Sequence, residues 1–577
     1  MSEVFSALGL SELNPGVIII VAALLIPFLS GAVRSIYMLA IPVVAFAHLS
    51  GLPTGDFGQF NLFDMTLTTL RVDKLSVLFG TVFLIATFLG VMYALHVGAW
   101  LQQVCGLIYA GSAIGAVFAG DFVTLFVFWE MTAVSSVFLI WAANTPSAQK
   151  AGLQYLIIQI GSGVILLAGV LFYFRETGSI AFNALDVGAF SGQLILVAFG
   201  IKCAFPLVHT WLKASYPEAT VTGAVMLSAF TTKLAVYALA RGYAGTELLI
   251  VIGTVMTLFP ILYAIIENDL RRVLAYALIG QLGIMVIGIG IGSDLAVNGA
   301  VAHAGAGIFY FAILFMAIGA VLYRTGTAKA SELGGLYRSM PFTTAFAVLG
   351  ALSIAAAPLF AGFVSKSLVL SAAGKDGFFW PWLAILFASG MVVVHTAAKL
   401  PYFAFFGRDS GKRCEEAPLN MLVAMGLAAV LCIGIGLYPA PLYALLPNDV
   451  SYEPYTVDHV VTQLQLLTFA ALAFTLMLRN GLYPLMLKSV NLDTDWFYRR
   501  PGHTLAQFAN RFRVYTWSFV ADAAVGGATR AYQWMHRHAG PDGIFGRTWP
   551  TGTMAFWTTV MLGAVVIAGF MKAATGG

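Results

Sequence analysis

Apolar runs of about 20 residues follow one another along the chain from Pro15 to Leu487, and one more lies near the C-terminus. The runs are continuous. Strands of a membrane barrel would alternate apolar and polar positions, so the pattern is that of membrane-spanning helices. Sixteen spans are predicted, near 15–30, 34–51, 74–97, 101–119, 121–143, 152–174, 192–212 and 220–243, then 246–268, 272–292, 297–323, 342–364, 378–406, 418–438, 464–483 and 554–571. The fold class expected is an all-α polytopic integral membrane protein of about 14–16 transmembrane helices.

Composition agrees with this reading. Of 577 residues, 60% are hydrophobic and 10% charged, whereas soluble domains carry about 25% charged residues. The net charge of +4 matters less than its placement. Arg34, Lys150, Lys213, Arg271, Arg324 and Arg408 follow odd-numbered spans, while Asp56, Asp64, Asp294, Asp449 and Glu453 follow even-numbered ones. The positive-inside rule then puts the N-terminus outside and the basic loops in the cytoplasm. The first ten residues, MSEVFSALGL, lack a basic n-region and a cleavage site, so the first span is expected to be retained. Cys105, Cys203, Cys414 and Cys432 are scattered, without metal-ligand or disulfide spacing, and read as small hydrophobes. Zinc spacings, P-loops and nucleophile elbows are absent from the sequence, and the GIGIGS at Gly288 follows no strand, so it is no dinucleotide fingerprint.

The candidate chemistry is a set of ionisable residues inside apolar runs. Glu130 lies in FWEMTAVSS, with Asp121 at the expected helix start. A carboxylate at bilayer depth is costly and marks a functional site by default; a structural ion pair between helices is the alternative. Lys202, Lys233 and Lys399 share the setting. Desolvation penalises a charged lysine and an opposite charge favours it, so an acid and bases spaced across buried helices can load and release protons. Lys233 is nearly mid-span, where snorkelling explains it poorly, whereas for Lys202 position alone leaves both readings open. His395 and Lys399 are four apart and share a helix face, which suits relay; a plain hydrogen bond to a neighbouring helix is an equal reading for His395. His209, beside Pro206, is expected to orient a helix break. Lys366 reads as a helix-end lysine at an interface. Lys202 precedes Pro206 by four residues and Lys399 precedes Pro401 by two. Proline removes an i→i−4 hydrogen bond, so breaks are expected at Pro206 and Pro401, in two corresponding halves.

Five stretches carry a resemblance: FVFWEMTAVSS around Glu130, AFPLVHTWL after Lys202, YPEATVTGAVMLSAFTTKLAVYALAR around Lys233, ENDLRRVLAYALIGQLG at 267–283 and LSIAAAPLFAGFVSKS at 352–367. In this order the chain resembles the antiporter-like subunits shared by Mrp-type multisubunit Na+/H+ antiporters, complex I and membrane-bound hydrogenases. With LDTDWFYRR near position 495 it looks most like the branch of Mrp D subunits. The resemblance implies two inverted five-helix repeats, each with a broken helix. Glu130 would be the intramembrane acid, Lys202 its partner, Lys233 a central relay and Lys399 the second-repeat lysine, with His303 and His395 on the proton pathway. It further implies no cofactor in this chain, other membrane subunits as partners, and a multi-pass place in a bacterial inner membrane. The domains expected are N-terminal helices at 1–100, an antiporter-like core at 101–410, further helices at 411–490, a basic, aromatic interfacial segment at 491–551 and a last helix at 552–577.

Two departures from the family pattern stand out. Where the family reads HAFAHxxYKALLF, this chain has HAGAGIFYFAILF: His303 is kept, but the second histidine is Gly307 and the lysine is Phe311. A relay from Lys233 to Lys399 would then need water in the space left at Gly305 and Gly307. Likewise LPDAYPEA becomes LKASYPEA, with Lys213 and Ala214 in place of proline and aspartate. The function expected is a non-enzymatic proton-path subunit of a Na+/H+ antiporter. The alternatives are a degenerate paralogue with an assembly role, or a proton-pumping subunit of a quinone oxidoreductase.

Overall fold

The computed structural model describes residues 12–62, 65–487, 491–541, 543, 546 and 550–574; the first ten residues and Asp64, used above, lie outside them. Among the described residues, thirteen helices are long and apolar enough to cross a bilayer. Three shorter apolar helices, Pro15–Phe28, Phe190–Lys202 and Pro341–Ile354, complete the sixteen segments expected.

The chain forms two units, one ending at Asp493 and one starting at Thr494. In the first, α1 (Pro15–Ala23) and α2 (Gly31–Leu49) lead to a β-hairpin, β1 (Gly55–Leu62) with β2 (Met65–Val72), and then to α3 (Lys74–Tyr93). The apolar pattern does not announce the hairpin, because MTLTTLRV alternates over too few residues to stand out among long runs. Its backbone reaches the core, as Gly120 N donates to Thr68 O at 2.9 Å and Arg71 N to Phe118 O at 2.7 Å.

Two repeats follow. The first holds α4 (Trp100–Val117), α5 (Phe122–Trp141), α6 (Pro146–Thr177), α7 (Phe190–Lys202), α8 (Thr210–Ser215), α9 (Val221–Ala229) and α10 (Thr231–Gly242). The second holds α11 (Glu247–Ile266), α12 (Leu270–Ile291), α13 (Asp294–Thr325), α14 (Pro341–Ile354), α15 (Ala361–Lys375) and α16 (Phe379–Phe406). Their correspondence is residue by residue. Asp121 and Asp269 cap α5 and α12, and both sit in isolated bridges, to Ala181 and Lys329. Left-handed Gly178 and Gly326 end α6 and α13, which are both 32 residues long. Each of these second-repeat residues lies 148 positions after its counterpart (121 to 269, 178 to 326, 181 to 329). Each repeat crosses five times, counting α7–α8, α9–α10 and α14–α15 as one crossing each. An odd count reverses the direction of the second repeat, which is the inverted topology.

After the core come α17 (Leu419–Leu437) and α18 (Val457–Arg479). The second unit contains α19 (Asp495–Ala539), one continuous 45-residue helix, and α20 (Thr551–Ala574). The compact first unit thus runs three residues beyond the expected boundary at 490, to Asp493.

Helix α3 is anchored by a reciprocal cap. Asp73 Oδ1 accepts Ser76 N at 2.8 Å, and Ser76 Oγ accepts Asp73 N at 2.9 Å. Arg241 Nη2, at the end of α10, donates to both carboxylate oxygens, at 2.9 and 2.8 Å. Burial pushes the Asp73 carboxyl up, but Arg241 and Ser76 hold it below the usual carboxylate range. Its stabilisation is therefore complete above the ordinary Asp pKa and is lost as pH falls through the depressed one. Asp73→Ala is expected to cost about 1–3 kcal/mol, discounted for its partial exposure, seen as a lower melting temperature in detergent whose deficit shrinks below about pH 4.

Candidate proton path

The acid and its neighbours are placed by α5. Asp121 accepts Thr124 N and Thr124 Oγ1, both at 2.7 Å, and Thr68 N from the hairpin at 2.8 Å. That fixes α5 at its start and carries Glu130 to mid-helix, partly buried against α6. A Cβ on Gly163 of α6 would fall on Glu130 Oε1, so this glycine makes the seat for the carboxylate. Oε1 has no hydrogen-bond partner among the described residues, and neither has the side-chain amide of buried Gln159, one turn before Gly163.

Lys202 ends α7 and is wholly buried. Its Nζ donates to Trp129 O at 2.5 Å and to Thr132 Oγ1 at 2.7 Å, and stands 4.3 Å from the Trp129 ring centroid. Its hydrogen bonds thus go to α5 on both sides of Glu130 and leave the carboxylate itself unbonded. From Thr132 a run of hydroxyls continues inward: Ser136 Oγ donates to Thr132 O at 2.5 Å and lies 2.8 Å from Tyr155 Oη. Tyr109 Oη lies 2.6 Å from Thr231 Oγ1 at the start of α10. Two residues on, Lys233 donates to Ser228 O at 2.7 Å. Every residue in the apolar window of Val221–Gly242 is buried, so snorkelling is closed to Lys233.

Phe311 lies under Lys233, its ring centroid 5.2 Å from Nζ. At the two glycines the neighbours stand at about contact distance from where a Cβ would be. A Cβ at Gly307 would meet Tyr310 Oη at 3.3 Å and Met285 Cε at 3.4 Å, and one at Gly305 would meet Val82 at 3.5 Å. Beyond Phe311, His303 has Nδ1 3.1 Å from Ser365 Oγ, and Nε2 3.0 Å from Gln281 Oε1 and 3.4 Å from Tyr310 Oη.

The helix breaks differ from expectation in one half. At Pro206 the chain leaves the helix between Lys202 and Thr210, with Ala204 and Leu207 at positive φ. At Pro401 it does not. Wide turns at 393–397 and 402–406 absorb the missing N–H, with Ala398 N donating to Val393 O at 2.8 Å, and α16 continues. The second break is at Pro358, with positive φ at Ala356 and Leu359. Its bonds copy the first: Phe205 N to Gly200 O and Ala357 N to Leu352 O, both 2.9 Å, 152 positions apart. The shared Ala-x-Pro-Leu is the signal in the sequence that marks it.

This relocates the second-repeat lysine. Lys366, expected at an interface, is 4% exposed, and its Nζ donates to Ile354 O, at the end of α14, at 3.3 Å. Lys399 instead caps α11, donating to Ala264 O and Ile265 O at 2.8 Å and Glu267 O at 2.7 Å. His395, one turn away, has Nδ1 2.6 Å from Thr396 Oγ1. Counting from the symmetry, the counterpart of Glu130 is Leu278 and that of Lys202 is Ile354, so the second repeat has no matching acid–lysine couple.

Gly163→Val is expected to displace the Glu130 carboxylate while the helices persist. Labelling of Glu130 by a hydrophobic carbodiimide should fall sharply against wild type, at unchanged helicity by circular dichroism.

Residues 119–392 match the family described as NADH:quinone oxidoreductase/Mrp antiporter, TM. The chain is 28% identical over 369 residues to the D subunit of the Na(+)/H(+) antiporter of Alkalihalophilus pseudofirmus, across 59% of this chain and 73% of that one. It is 29% identical over 409 residues to the A/B subunit of a probable K(+)/H(+) antiporter of Rhizobium meliloti, across 64% of this chain and 40% of that one. In fold it is similar to a chain of the Mrp complex from Dietzia sp. DQ12-45-1b, with TM-score 0.64 and 20% identity, covering 82% of this chain and 97% of that one. Residues 119–392 of this multi-pass membrane protein thus match the family that Mrp antiporters share with NADH:quinone oxidoreductase.

Proposed function

We propose that this chain is a non-enzymatic membrane subunit of a multisubunit cation/proton antiporter of a bacterial inner membrane. Protons move through it along Glu130, Lys202, the hydroxyls of Thr132, Ser136 and Tyr155, and Lys233. The observation that carries the reading is the buried Lys202, bound to a carbonyl and a hydroxyl on either side of Glu130 while Oε1 stays unpaired. A structural ion pair would close that contact. An acid and a base held adjacent but unbonded can exchange a proton without first breaking a salt bridge. His303, Lys366, His395 and Lys399 form the second half of the path. The named activities of relatives differ in cation, Na+ in one and K+ in another, so both cations belong in the assay.

A second reading, a degenerate paralogue kept for assembly, is favoured by Phe311, whose ring lies against Lys233 and cannot carry a proton. The two separate in inverted vesicles carrying the assembled complex. Under the transport reading, Glu130→Ala and Lys202→Ala each lower Na+/H+ or K+/H+ exchange by about 100-fold with assembly intact. Wild-type exchange by either variant would sink it and leave the paralogue.

A further inference from the structure

The last residues of the first unit turn side chains into the bundle. Asn491 Nδ2 donates to Glu267 Oε2 at 3.2 Å. The Asp493 side chain is 1% exposed; its carboxylate accepts Tyr276 Oη at 2.8 Å and lies 2.9 Å from Lys213 Nζ and 3.2 Å from His209 Nε2. Burial pushes Asp493 up, but His209 and Lys213 hold it below the usual carboxylate range. This is the place where Lys213 and Ala214 stand for proline and aspartate. The acid missing from the local sequence is supplied here from 493.

On its inner side Tyr276 lines a small internal cavity of about 10 Å³ with Thr257, Gln281 and His395, enough for about one water. Gln281 continues to His303. A phenol hydroxyl donates and accepts at once, so a water in this cavity would link Tyr276, already bonded to Asp493, with His395 in the same lining. The groups facing these residues are Lys213 and His209 from the first break, Tyr263 stacked on Tyr276 at 5.2 Å, and Glu267 with Lys399 at the end of α11.

We propose that Asp493 is the port carboxylate of the second-half path, taking a proton on the Lys213 side and passing it through Tyr276 and one water to His395, by a route that does not need Phe311. The proposal rests on the proton-path reading above. A proton binds an Asp493 oxygen and moves to Tyr276 Oη as the phenolic proton leaves for the water. The water in turn gives one to the His395 imidazole. Only O–H and N–H bonds form or break.

The test is cation/proton exchange across a pH series in inverted vesicles carrying the whole complex. Asp493→Asn is expected to lower the rate by about 100-fold, and Asp493→Glu to restore part of it with a shifted pH profile. Tyr276→Phe, which keeps the ring stack, is expected to show the same loss, and it carries the test if Asp493→Asn fails to assemble. The double variant Lys213→Gln/Asp493→Asn should stay slow. Recovery in that double variant would overturn the proposal, because Asp493 would then only neutralise Lys213. A wild-type rate and pH profile in Asp493→Asn or Tyr276→Phe, beside a dead Glu130→Ala, would overturn this proposal alone. Wild-type exchange in Glu130→Ala as well would overturn the proton-path reading beneath it.

Discussion

Four buried ammonium groups in this bundle are held by backbone carbonyls. Lys202 bonds Trp129 O, Lys233 bonds Ser228 O, Lys366 bonds Ile354 O, and Lys399 gathers three carbonyls at the end of α11. Moving a charge out of water costs several kcal/mol, repaid only by good hydrogen bonds. A carboxylate partner would repay it but would also fix the charge, because losing the lysine proton would strand a buried anion. A carbonyl dipole holds the cation and tolerates its neutral form. Trp129 O lies within α5, but the other carbonyls are at helix ends and junctions, where no helix uses them, so for Lys233, Lys366 and Lys399 the interruptions in the helices and the lysines are parts of one solution. Non-helical backbone at bilayer depth is itself tolerated only when enclosed by protein.

The duplicated frame carries unequal chemistry. Caps, bridges and glycine stops repeat 148 positions on and the Ala-x-Pro-Leu breaks 152, yet Glu130 and Lys202 have Leu278 and Ile354 as counterparts. The second half takes its polar groups from other places: Lys366 from beyond its break, Glu267 from the end of α11, and Asp493 from the end of the first unit. Symmetry here governs the backbone, where steric and hydrogen-bond rules act on every copy alike. Side chains are free of that constraint and have diverged.

What the sequence makes legible follows the same division. All sixteen apolar segments, the Glu130–Lys202 neighbourhood and the break at Pro206 are readable, because run length and buried charge are local signals. The break expected at Pro401 is not one. Proline states that a hydrogen bond is missing but not how the chain compensates, and α16 compensates with wide turns. Pro358 is the better candidate, since its neighbours repeat those of Pro206. The space at Gly307 is not legible either, because a deleted side chain leaves room only as far as its neighbours stand off, and Tyr310 and Met285 stand 3.3 and 3.4 Å from where a Cβ would be. Asp493 cannot be read at all. Its partners at 209, 213 and 276 are more than 200 positions away, and no periodicity announces such a contact.

The seat of Glu130 on Gly163 makes the size of one residue set the reach of another. Oε1 lies where a Cβ at 163 would be, so a side chain there moves the end of the flexible glutamate rather than the helices that carry it. The residue at 163 therefore acts as a spacer for the carboxylate, and the separation of the acid from Lys202 can be retuned without changing either ionisable group.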